Sequence, residues 1–268
     1  MRNRTKLGKI FVSLLVATIL TSCQKSSQSN TEPQPPPKRN TQEQSIIYWG
    51  VDSADKVDQA FLGCITENFG EPKAFGRYLG SKEGVSAGIT TEEAQFLHEK
   101  AIKIMVIYNH FTDATKLENG EAEAKAAIAL AQELGIPEGV AIFADIEPNY
   151  PVDAEFIQEW VHTLQSSPYK PGIYGVFTSD SNNTSAYNKA IETNKSIQNE
   201  TIIWSSNPVI GVTQKGKAPA YKPNAPETID VQIWQYGIDG QSCNIDTNLI
   251  KSEALEFHWG HGDGSRVP

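Results

Sequence analysis

Asp145 and Glu147 stand two residues apart at the end of an apolar run, Val140-Ala141-Ile142-Phe143-Ala144-Asp145-Ile146-Glu147, which Pro148 follows. Alternate side chains of a β-strand share a face, so both carboxyls point the same way from Cα atoms about 6.5–7 Å apart. Two carboxyls on one face repel each other's charge and push one pKa upward. That suits a proton donor beside a group that stays ionised. The plainer alternative is that they cap the next helix or pair with a surface base, yet an apolar strand ending in Asp-x-Glu puts charge where burial is expected. Asp52 ends another apolar run, Ile46 to Asp52, and can be read either as a site group or as an N-cap.

Other strand ends carry polar and aromatic groups: Arg77-Tyr78, Tyr108-Asn109-His110, Tyr174, Trp204-Ser205-Ser206-Asn207, Trp234-Gln235-Tyr236 and Asn244-Ile245-Asp246-Thr247-Asn248. Flat aromatic faces suit sugar C–H surfaces, and amides and carboxylates bind hydroxyls. Arg77, Tyr78, Asn109, His110, Tyr174, Trp204, Trp234, Gln235, Tyr236 and Asn248 are therefore expected to bind substrate. Each aromatic alone is more often a core residue than a ligand platform; the clustering is the signal. His110 reads as a neutral hydrogen-bonding residue. The five His are scattered and no Cys or His pair has ligand spacing, so neither a metal site nor a cofactor is expected.

The elements that must hold these residues alternate. Strands are expected over 46–52, 74–80, 102–110, 140–147, 170–176, 201–207, 231–236 and 244–250. Helices are expected over 57–69, 91–100 with Thr91 as N-cap, 121–134 stopped by Gly135 and Pro137, 153–165, and 185–193. Such alternation implies parallel pairing through right-handed crossovers, and eight strands in about 220 residues fit a modified (β/α)8 TIM barrel. Its last two strands lack a long helix and are expected to be irregular. A doubly wound open sheet is the alternative. In a barrel the site sits at the carboxyl ends of the strands, where the polar residues lie.

The chain has 268 residues, 23 basic and 32 acidic. Residues 1–45 hold seven Lys/Arg against two Glu, so the rest is strongly acidic, which argues against nucleic-acid binding. Arg2, Arg4, Lys6 and Lys9 precede a weakly polar stretch, Ile10 to Leu20, with the layout of a secretory signal. Leu20-Thr21-Ser22-Cys23 follows and resembles a bacterial lipobox, with an ordinary signal peptide and a chance Cys as the alternative. The expected domains are a lipoprotein signal peptide over 1–23 with Cys23 as the lipidated residue, a flexible tether over 24–45, and a barrel over 46–268. The body is expected outside the cytoplasm as a monomer, meeting a membrane through its lipid anchor only. Cys64 and Cys243 form a disulfide or remain buried thiols. The tail from Phe257 to Pro268 reads as a loose end.

Gly50-Val51-Asp52, Phe143-Ala144-Asp145-Ile146-Glu147, Gly172-Ile173-Tyr174, Trp234-Gln235-Tyr236 and Asn244-Ile245-Asp246-Thr247-Asn248 together resemble the family-25 glycoside hydrolases, the Chalaropsis-type lysozymes. More closely, the body resembles the glycoside-hydrolase-like domain of unknown function found in exported actinobacterial and Bacillus-type proteins. The resemblance runs in order from Ile46 to about Ile250. It departs from family-25 lysozymes at Asp52-Ser53-Ala54, where these usually read Asp-Val-Ser. It implies a modified barrel with Glu147 as the acid and with Asp52, Asp145 and Asp246 as supporting or water-orienting carboxylates. The implied activity is hydrolysis of a cell-wall glycan of the peptidoglycan type. A non-catalytic glycan-binding lipoprotein, and an interaction scaffold, are the alternatives.

Overall fold

The computed structural model describes residues 45–260. The expected signal peptide with Cys23, the tether up to residue 44, and residues 261–268 lie outside the described residues. No helix among the described residues is long and apolar enough to cross a membrane.

Eight strands close a barrel in sequence order: β1 (Ile47–Asp52), β2 (Ala74–Tyr78), β3 (Lys103–Tyr108), β4 (Ala141–Ile146), β5 (Lys170–Gly175), β6 (Ile202–Ser206), β7 (Val231–Gly237) and β8 (Asp246–Lys251). The open-sheet alternative is excluded. Helices α1 (Gln59–Asn68), α2 (Thr91–Glu99), α3 (Leu117–Glu133), α4 (Ala154–Gln165), α5 (Asn182–Thr193) and the short α6 (Ser196–Glu200) connect the first six strands. A last turn, α7 (Ser252–Leu255), follows β8. Local chemistry sets the helix starts: Asp58, Thr90, Asp153 and Ser181 each accept a hydrogen bond from a backbone N–H of the first turn. The cap of α2 is thus Thr90 and not Thr91. Helix α3 starts four residues earlier than its alanine-rich segment suggests, and Gly135 follows its end with φ +71°.

Strand alternation sorts side chains into two cores. Met105, Ile107, Ala141, Phe143, Trp204, Ile233 and Ile250 fill the barrel, while Val51, Phe75, Val106, Ile142, Ile173 and Trp234 pack outward under the helices.

The expected irregularity of the last strands is present and goes further than expected. β8 runs antiparallel to both β7 and β1, so the expectation of parallel pairing throughout fails there. No long helix separates β7 from β8, which join as a hairpin, and a parallel partner needs a crossover. The reversal matters for the site. A parallel strand presents its last residues at the barrel's mouth, whereas reversed β8 presents its first residue, Asp246, directly opposite Asp52. The β6–β7 connection, residues 207–230, contains only one 3-10 turn, Lys215–Lys217.

The opposite end is closed by the segment after α7. Trp259 exchanges both backbone hydrogen bonds with Ile104, and Phe257 accepts from the N–H of Ala141. This part of the tail is docked, not loose, because it satisfies the first backbone groups of β3 and β4. Ser252 donates its N–H to the carbonyl of Ile46, and Ser45 bonds Glu253, so the described chain begins and ends on this closed side. Cys64 on α1 and Cys243 in the β7–β8 loop form a disulfide, with Cα atoms 6.2 Å apart.

Candidate active site

Three strands deliver the four carboxyls. Asp52 ends β1, Asp145 lies on β4 with Glu147 just beyond it, and Asp246 starts β8. On β4, Ala141 and Phe143 face inward and Ile142 and Ala144 outward, so the alternation carries Asp145 and Glu147 to the barrel interior. Asp52 and Asp145 are buried, while Glu147 and Asp246 are partly open at the mouth.

Asp52 is fixed by amides. Asn248 Nδ2 donates to its Oδ2 at 2.6 Å, and Gln235 Nε2 lies 3.2 and 3.3 Å from its two oxygens. Trp204 Nε1 in turn donates to Asn248 Oδ1 at 2.8 Å. Gly76 makes room beneath: a Cβ there would lie 2.5 Å from Asp52 Cβ and 2.9 Å from the Trp204 ring. Asp246 accepts from Gln235 Nε2 at 3.1 Å and from the backbone N–H of Asp239 at 2.9 Å.

All four carboxyls are harder to ionise than a free carboxyl. Burial pushes Asp52 up to about 6 against the pull of its Asn248 and Gln235 donors, with Glu147's charge adding to the rise. Burial and then the charge of Asp52 push Asp246 up to about 8. Burial, then Glu147 and Asp52, raise Asp145 well above the carboxylate range. Glu147 is raised by burial and pulled back by a hydrogen bond from Asp145 and by Lys82. The proton of this pair therefore favours Asp145, whose Oδ1 is buried with no hydrogen-bond donor among the described residues. Of the two carboxyls expected to push one pKa upward, Asp145 is the one its neighbour's charge lifts; Glu147 is lifted by burial, as its role as the acid requires, and Asp145 restrains it. Tyr78 and Tyr174 face the same acids, and burial first and those charges second hold both phenols protonated.

Nine of the fourteen expected site residues converge here: Asp52, Asp145, Glu147, Asp246, Tyr78, Tyr174, Trp204, Gln235 and Asn248. Trp204, Gln235 and Asn248 are essentially unexposed and lie beneath the acids as the floor of the site. The other five are elsewhere. Arg77 points outward, the reverse of its neighbour Tyr78, and is spent on Glu93 (2.6 Å) and on the carbonyls of Ser53 and Ala87. Trp234 and Tyr236 point outward on either side of inward Gln235: Trp234 donates to the Asn207 carbonyl, and Tyr236 accepts from Trp49 Nε1. His110 stacks on Tyr108 with its Nε2 3.1 Å from the Leu79 carbonyl. Asn109 is buried against Ser86. Strand alternation separates the first three in principle; His110 and Asn109 lie past the end of β3, where alternation stops.

Lys82, Tyr150 and Ser206 were not expected. Lys82 Nζ donates to the carbonyls of Asn109 (2.7 Å) and Phe111 (3.2 Å), lies 5.9 Å from the Tyr150 ring centre, and lowers both β4 acids by its charge. It comes from a loop, Ser81-Lys82-Glu83-Gly84, whose sequence carries no signal beyond its place after a strand. Ser206 donates to Gln235 Oε1 at 2.7 Å, and strand alternation from Trp204 was the available clue. Among the described residues no group of three or more His, Cys, Asp or Glu has the geometry to hold a metal ion. A mouth of half-buried acids and phenols over a floor of tied amides suits proton transfer to a polar, uncharged ligand.

The family profile described as the Rv2525c-like, glycoside hydrolase-like domain matches residues 71–250. A crystal structure of a B. stearothermophilus protein is 38% identical and superposes with a TM-score of 0.77 over 79% of this chain and all of that one. The Tat-secreted protein Rv2525c of Mycobacterium tuberculosis, crystallised with L-tartrate, is 16% identical, with a TM-score of 0.53 over 80% of this chain and 99% of that one. A lysozyme from Streptomyces coelicolor is 14% identical, with a TM-score of 0.50 over 78% and 96%. The last two likenesses show the fold alone. No curated protein matches the chain.

Proposed function

The chain belongs to the Rv2525c-like, glycoside hydrolase-like domain family, and from that premise we propose that it hydrolyses or remodels a cell-wall glycan, an amino-sugar polymer of the peptidoglycan type. The observation that carries the reading is Glu147, a half-buried carboxyl made harder to ionise and hydrogen-bonded to a second acid behind it, at the open end of the barrel. Lysozyme activity in the Streptomyces coelicolor protein of the same fold adds support by analogy.

In this reading Glu147 protonates the leaving glycosidic oxygen. Bound sugar excludes water and raises Glu147 further, and Asp145 supplies the pair's proton from behind. Asp52 or Asp145 in its ionised form stabilises positive charge on the ring or holds the attacking water, with Asp246 as a supporting carboxyl. Tyr78 and Tyr174 offer O–H groups to the sugar. The protein acts outside the cytoplasm as a monomer anchored through Cys23 and tethered by residues 24–45. The Cys64–Cys243 disulfide supports an oxidising compartment.

The test is to incubate the full chain and its Glu147→Gln variant with purified peptidoglycan and analyse the soluble products by mass spectrometry. New reducing ends from the parent only are expected. Silence from both, with both still pulling down the glycan, would replace the enzyme by a binding protein using the same cleft.

A further inference from the structure

Asp52 and Asp246 are direct cross-strand partners on the antiparallel β1–β8 pair, and both side chains face the interior. Like charges opposite each other on one face of a sheet repel. The side chain set against both is Gln235, whose exposure is 1%. An amide has two N–H donors and two acceptor lone pairs, and here every one has a partner. Nε2 reaches Asp52 at 3.2 Å and Asp246 at 3.1 Å; Oε1 accepts from Tyr174 at 2.9 Å and Ser206 at 2.7 Å. The opposite amide orientation would set an oxygen against two carboxyls, so the network fixes which way Gln235 lies. One side chain of β7 thereby joins β1, β5, β6 and β8.

We infer that Gln235 is a positioning residue that joins Asp52 and Asp246 into a single acid pair at the mouth of the barrel. The two members are not equivalent. Asp52 is reached by both Gln235 and Asn248 and is the better anion; Asp246 has only Gln235 and one backbone N–H. Between about pH 6 and pH 8, the values to which burial lifts the two, the pair holds one proton, on Asp246, and one negative charge, on Asp52. The other titratable groups facing the pair are Glu147 and Asp145 from β4, Tyr78 from β2, Tyr174 from β5 and Asp239 from the β7–β8 loop. Lys82 acts on the β4 acids. The pairing stands without the glycosidase reading; only its kinetic consequence rests on that reading.

The test follows the carboxyl carbon resonances of Asp52 and Asp246 by NMR from about pH 3 to pH 10 in the full chain and in its Gln235→Met variant, which keeps the length but removes the amide. Two linked titrations are expected in the parent. Both should move upward by about one pH unit or more in the variant, since each carboxylate loses a donor. Titrations unmoved in a folded variant would overturn the assignment. If Gln235→Met does not fold, Asp52→Asn serves: removing the charge of Asp52 must bring the Asp246 titration down, and an unmoved Asp246 would again overturn the pairing. Neither measurement needs turnover, so a silent enzyme would sink the glycosidase reading and leave this one standing. In an active protein, Gln235→Met should lower kcat about tenfold or more with KM little changed. A raised KM with kcat unchanged would mean that Gln235 binds substrate, and would overturn the positioning role.

Discussion

Both ends of the barrel bury titratable groups, and they do so in opposite ways. At the mouth the buried acids are tied: Asp52 by two amides, Asp246 by an amide and a backbone N–H, Asp145 by Glu147. At the closed end His258 is 1% exposed, neither ring nitrogen has a hydrogen-bond partner among the described residues, and burial holds its pKa down to about 3. Burial and a displaced pKa are therefore no sign of a site by themselves. Convergence is the sign: at the mouth several polar groups fix one another, and at the closed end one ring sits beside an apolar neighbour, Phe143.

The largest expected contrast is in turnover. Glu147→Gln should lower kcat by about a thousandfold, within the range for loss of a general acid, while His258→Leu should leave kcat unchanged; assaying both on one glycan breaks the comparison if His258 matters. Next comes the staple near the mouth. Replacing Cys64 and Cys243 by Ser should cost about 3 kcal/mol of stability, read from denaturant unfolding, and should disturb the Asp246 resonances before those of Glu147.

At the closed end, His258→Leu should raise stability at neutral pH by about 1–2 kcal/mol, since it removes an unsatisfied buried imidazole. Its pH dependence has a definite sign. A base whose folded pKa lies below its unfolded value of 6.5 contributes stability that is lost as pH falls from there toward 3. The variant should flatten that acid limb in a series of Tm values, and an unchanged limb would return the acid sensitivity to other groups. Asp246 gives the opposite slope. Its folded pKa of about 8 lies above the ordinary 3.8, so its contribution is lost as pH rises through that window. Asp246→Asn should gain about 1 kcal/mol at pH 8 and nothing at pH 3 once partial exposure is allowed for.

Much of this was legible in the sequence, and the parts that were not have a common cause. The eight apolar runs located the strands, and the spacing of Asp145 and Glu147 correctly put both on one face. The same alternation distinguishes Gln235 from Trp234 and Tyr236, and Tyr78 from Arg77, but only once one residue of each strand is known to face inward. The direction of β8 is not written in its apolar pattern, which reads alike both ways; it follows from the short hairpin and from closure against β1. Lys82 was illegible because a loop lysine becomes part of a site only through the carbonyls that catch it. The docking of Phe257 and Trp259 was hidden because their partners are backbone groups of distant strands.

The reversal of β8 also decides how the molecule can be held. Because β1 starts and β8 ends on the closed side, Ser45 and Trp259, near the two ends of the described chain, lie on one side of the barrel, opposite the acids. A tag, a bead or a fused partner joined at either terminus of the barrel therefore grips it by its back, and an immobilised preparation should present its acids outward whichever end is chosen as the handle.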